Sequence, residues 1–86
     1  MRVLLPTRLR SYTGGAAEVD GEGNTLAELL EVLDARFPGI RFRIIDEQER
    51  VRPHVRIFVD GEVARGLSVP LTSGSTVQVV GALSGG

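Results

Sequence analysis

The chain has 86 residues, 42% of them hydrophobic and 24% charged, with a formal net charge of −1, which describes one soluble domain with a single core. Ten arginines and eleven acids are interspersed rather than gathered into a basic stripe, a pattern that disfavours nucleic acid, and no apolar run approaches the ~20 residues that cross a membrane. There is no cysteine, hence no disulfide, thiolate nucleophile or cysteine-ligated metal.

Residues 2–6, RVLLP, read as a short strand. One basic residue and a brief apolar run make too little for a signal peptide, so the expectation is a cytoplasmic protein. Residues 7–15 read as a loop with turn chemistry at Thr13-Gly14-Gly15, and residues 16–20 as a second strand. These two strands are best paired as an antiparallel hairpin. After the Gly21-Glu22-Gly23-Asn24 turn, Thr25 and Glu28 form a capping box in which each side chain satisfies the other's backbone N–H. Leu26, Leu29, Leu30, Leu33 and Phe37 then share one helical face. Pro38-Gly39 ends that pattern, predicting a helix over residues 26–37.

Residues 40–53 are ambiguous: a turn, a short irregular stretch and a charged loop. Residues 54–64 read as a hairpin about Asp60-Gly61, a type I′ turn pair. Pro70 reduces residues 66–71 to a weak edge segment. Residues 76–82 form the final strand after the Thr72–Ser75 turn. One amphipathic helix against four or five strands implies a two-layer α+β domain.

The sequence ends Gly81-Ala82-Leu83-Ser84-Gly85-Gly86. Terminal glycines pack nothing and cap nothing, so fold stability does not ask for them. They can instead thread a narrow channel, and from Gly81 to Gly86 the reach is on the order of 20 Å. A frayed end is the plain alternative.

A hairpin, one capped helix, an Asp-Gly hairpin and a last strand running into Gly-Gly resemble the ubiquitin-like β-grasp fold. Within it, the chain resembles the MoaD/ThiS sulfur carriers, and most closely their CysO type. The N-terminal residues Pro6-Thr7, Leu9-Arg10 and Thr13-Gly14-Gly15 carry that likeness. The step Gly81-Ala82-Leu83-Ser84 departs from the Pro-Val-Ala step of many carriers.

The resemblance implies a mixed four- to five-stranded sheet on one main helix, with a β-grasp domain over residues 1–82 and a flexible tail over residues 83–86. It implies that Gly86 is adenylated and converted to a thiocarboxylate, with Gly85, Ser84 and Leu83 as the tail that enters a partner. The chain would be no enzyme and bind no cofactor of its own. ATP would be used by a MoeB/ThiF-like adenylyltransferase. A sulfur donor protein would supply sulfur, and the acceptor would be a cysteine synthase-like enzyme or the large subunit of molybdopterin synthase. The alternative is a ubiquitin-like modifier conjugated through its last glycine to lysines of other proteins. A plain interaction domain with an idle tail is the third reading.

All ten basic side chains are arginine. Coding bias explains that, and so does the hazard of an activated carboxyl beside lysine amines on its own carrier.

Strand parity predicts that Val3, Leu5, Val55, Ile57, Val59, Val77 and Val79 face the helix. Leu4, Phe58 and Val80 then face outward on the neighbouring first, third and last strands of such a sheet. They would form an apolar docking patch beside the tail, with Arg56 and Arg65 as a rim. Three scattered surface hydrophobes are the alternative. His54, the only histidine, is expected at the start of a strand with no metal role, and Tyr12 is expected against the sheet edge.

Overall fold

The computed structural model describes residues 1–81. The expectations for Leu83, Ser84, Gly85 and Gly86, and the domain limit at residue 82, lie outside the described residues. Five strands form one mixed sheet: β1 (Arg2–Leu4), β2 (Glu18–Asp20), β3 (Val55–Val59), β4 (Glu62–Val63) and β5 (Thr76–Gly81). Their order across the sheet is β2-β1-β5-β3-β4, with β1 parallel to β5 and the other pairs antiparallel. The main helix α1 (Leu26–Arg36) packs on one face, followed by a five-residue helix α2 (Ile40–Ile44). This is the β-grasp architecture, with five strands.

Alternation explains the layering. Val3, Ile57, Val77 and Val79 are buried on the sheet's inner face, and Leu26, Leu29, Leu30 and Leu33 meet them from α1. Burying side chains of this size removes about 1.5–3 kcal/mol of unfavourable hydration each. Leu5 and Val55 are also buried, and Val59 is partly so, as parity predicts.

At the start of α1, Thr25 Oγ1 accepts the Glu28 N–H at 3.2 Å, as the capping box requires. The return bond differs from expectation: Glu28 Oε1 accepts from the Asn24 N–H at 2.9 Å rather than from Thr25. The next two first-turn donors, Leu26 N–H and Ala27 N–H, bond to the carbonyls of Val69 and Leu67 at 3.0 and 2.9 Å. Residues 66–71 therefore serve the helix end, with one isolated bridge between Thr25 and Pro70 and no strand of their own. Gly23 beside this end has φ +146°, and a Cβ there would stand 2.8 Å from the Leu29 nitrogen, so the position takes glycine.

Two segments depart from the sequence reading. Residues expected as a loop form a 3₁₀ helix over Thr7–Thr13, which Gly14 closes at φ +69°. The ambiguous stretch after Pro38 contains α2, whose Ile40 and Ile44 are fully buried. Tyr12, near the end of that 3₁₀ helix, packs partly buried against the core, and its hydroxyl accepts a 2.8 Å bond from Arg43 Nε of α2. At the β3–β4 turn, Asp60 and Gly61 both have positive φ, +50° and +87°, as a type I′ turn demands. The Asp60 carboxylate accepts from the Thr76 N–H at 2.9 Å, fastening that turn to the start of β5.

Candidate functional site

β5 occupies the middle of the sheet and carries the chain to Gly81, which is exposed. On its outer face stand Gln78 and Val80. The register places Leu4 of β1 and Phe58 of β3 on either side of Gln78, with Arg56 directly across from Val80. Leu4, Phe58 and Val80 are thus on one face and each is half-buried. The exposed Gln78 stands between Leu4 and Phe58 on this face. Parity could have located Gln78, since it lies between the inward Val77 and Val79. Val63 of β4, paired with Phe58, extends the apolar row and is 44% exposed.

Leu4 and Val80 line a groove of about 560 Å³ that reaches Gly81, walled by Pro6, by Arg8 and Arg10 of the 3₁₀ segment and by His54. A second depression of about 370 Å³ shares Pro6, Arg8, His54 and Gly81 with the groove and is also lined by Tyr12 and Arg43. Gly81 thus lines two hollows, and Arg8 and His54 line both. Arg10 is held in place by a 3.1 Å bond from its Nε to the Leu5 carbonyl. The sequence reading missed this groove, because its wall is built by the 3₁₀ segment and three residues per turn leave no amphipathic signature in seven residues. His54 precedes β3 and is exposed, as expected.

Of the two expected rim residues, Arg56 donates to the carbonyls of Pro53 and Val55 at 3.2 Å each. Arg65 lies beyond β4 in a separate hollow that Arg56 also edges. At the opposite end of the outer face, Arg2 Nε meets Glu18 at 3.0 Å. Hydrogen bonding and charge together hold the Glu18 carboxyl below its usual range and raise Arg2.

Among the described residues, no group of three histidine, aspartate or glutamate side chains could hold a metal ion. The face offers shape, apolar area and positive charge rather than a reactive side chain.

Comparisons with known proteins agree with this architecture. The sequence matches the ThiS family over residues 3–86. It is 35% identical over 89 residues to the sulfur carrier protein CysO of Mycobacterium tuberculosis, covering 98% of this chain and 96% of that protein. A chain in the crystal structure of the Amycolatopsis orientalis BexX/CysO complex superposes with a TM-score of 0.90 at 31% identity, over 99% of this chain and 98% of that one. SAMP1 from Haloferax volcanii shares the fold alone, at TM-score 0.77 and 24% identity over 100% of this chain and 98% of that one. The match of sequence and fold extends over nearly the full length of the chain, which therefore belongs to the ThiS family.

Proposed function

We propose that this protein is a sulfur carrier whose working group is the carboxyl of Gly86. The observation that supports this most is the family match through residue 86, on a fold whose central strand delivers the chain to the sheet's rim at Gly81. A carboxylate is a poor electrophile, and its activation needs a better leaving group. An ATP-dependent adenylyltransferase of the MoeB/ThiF kind supplies one, as the carboxylate oxygen attacks the α-phosphorus of ATP and pyrophosphate leaves. Sulfide from a donor protein then attacks the acyl carbon, AMP departs with the original oxygen, and a thiocarboxylate remains. Two glycines leave that carbon unhindered. The sulfur then passes to an acceptor enzyme of the cysteine synthase or molybdopterin synthase kind.

Each partner must grip the domain while the tail enters its active site. The outer face around Leu4, Phe58 and Val80, with the groove reaching Gly81, serves that purpose in this reading. Relatives named as CysO favour cysteine synthesis as the destination.

Intact-mass spectrometry tests the proposal. Purified protein with a MoeB/ThiF-like enzyme, ATP and sulfide should release pyrophosphate and exchange one oxygen for sulfur. A variant lacking Gly85 and Gly86 should do neither. Unchanged mass in both would overturn the reading. Covalent adducts with lysines of other proteins in cells, without a thiocarboxylate, would replace it with the modifier reading.

A further inference from the structure

The charges of this chain balance in number but are sorted in space. Arg50, Arg52, Arg56 and Arg65 ring a hollow of about 380 Å³ at the β4 edge of the sheet. Among the described residues, Glu49 is the one acid in its lining, and that carboxylate is already paired with Arg41 at 2.7 Å. No ion pair among the described residues involves any of the four arginines. Arg50 donates to the Gln48 side chain, and Arg52 to the Phe42 carbonyl at 2.7 Å. Arg56 donates to the carbonyls of Pro53 and Val55, so the acceptors of these three guanidinium groups are neutral. Acids gather elsewhere: Glu22, Glu28 and Glu31 edge a hollow beside the start of α1.

Asp46, which accepts the Arg50 N–H at 3.0 Å, faces Arg50 and Arg52 and offsets the ring only in part; like charges held round a concavity repel one another in the free protein, and a negative partner relieves that repulsion. Among the residues lining the hollow between them are the apolar Val51, Val63, Ala64 and Leu67. The bonded guanidinium groups are each turned to a different oxygen rather than converging on one point. A clamp for a single phosphate needs convergent donors. Separate positive points around a hollow with apolar lining residues fit an extended segment better.

We propose that this hollow docks an acidic segment of a partner protein, one in which carboxylates alternate with apolar side chains. The inference goes beyond the carrier reading and does not depend on tail chemistry. The surface adjoins the outer face through Arg56, which pairs with Val80.

The test uses the full chain, labelled for amide NMR, and a synthetic peptide of alternating glutamate and leucine. Saturable shifts are expected at Val51, Val63, Ala64 and Gly66, with affinity falling as salt rises. The double variant Arg50→Gln/Arg65→Gln should bind roughly fivefold more weakly, the size that two solvent-facing ion pairs supply together. The charge-matched pair Arg2→Gln/Arg36→Gln should bind as the unaltered chain does. Three results would each overturn the proposal. The first is no saturable shift, or shifts scattered over every arginine. The second is equal losses from both variant pairs. The third is inorganic phosphate saturating the same amides as tightly as the peptide, which would mark a small-anion site. Self-association of the chain through these amides on sedimentation would likewise replace the partner with a second copy.

Discussion

Phe58, Leu4 and Val80 are half-buried, yet none packs against the apolar cluster beneath the sheet. Their shelter comes from neighbours on the outer face, so a polar replacement there need not bury a charge. Phe58→Asp should accordingly change stability by about 1 kcal/mol or less. The same change should slow adenylation at least tenfold, as loss of a central docking aromatic does. Retained pyrophosphate release would remove Phe58 from the docking face. Asp46 gives a prediction in pH. Its Oδ1 accepts the N–H groups of Arg50 and Gln48 at 3.0 and 2.9 Å. The Arg50 hydrogen bond, aided by that of Gln48 and by nearby arginine charge, outweighs desolvation and holds the carboxyl below its usual 3.8. The unfolded chain therefore binds this proton more readily than the folded one. The resulting stabilisation is present above the ordinary value and lost as pH falls through the depressed one. Asp46→Asn should be less stable than the unaltered chain at neutral pH, and urea unfolding should show the gap closing in acid. An unchanged gap would mean that the carboxylate charge does not hold the loop.

Short elements in this fold borrow their end groups from neighbours. α2 begins after Gly39, which has no side chain to cap it, and Asp34 of α1 does so from a distance. Its Oδ1 accepts from both the Gly39 and Arg41 N–H groups at 3.1 Å. Asp34→Ala should cost about 1 kcal/mol in denaturant unfolding and Asp34→Asn much less; equal stability of all three would refute the cap. This dependence also explains what the sequence concealed. Leucines at helical spacing, Thr25 before Glu28, and Asp60-Gly61 are signals complete within a few residues, and α1 and the β3–β4 turn follow from them. Five residues cannot display a helical period, and α2 exists because Ile40 and Ile44 are buried and Asp34 reaches across. Nothing near Asp34 in sequence announces that role. The same holds for the Leu67 and Val69 carbonyls that complete the start of α1.

Across the whole molecule, the sheet order required the family likeness, since alternation assigns faces but not neighbours. With β1, β5 and β3 adjacent, parity correctly set Leu4, Phe58 and Val80 outward, and the same logic extended to Gln78 describes the face between them. The groove at Gly81 and the hollow shared by Arg56 and Arg65 arise only when distant segments meet. Local spacing carries no trace of either.

The central position of β5 has a consequence for biosynthesis. Both inner neighbours of this strand are made before it, and until it arrives β1 and β3 face an unfilled gap with no partner to bridge them. Pairing so distant in sequence closes late. A ribosome still holding this strand holds an unfinished domain, so the outer face that Leu4, Gln78 and Phe58 share is assembled only once β5 is released, and a nascent chain truncated before β5 never builds it.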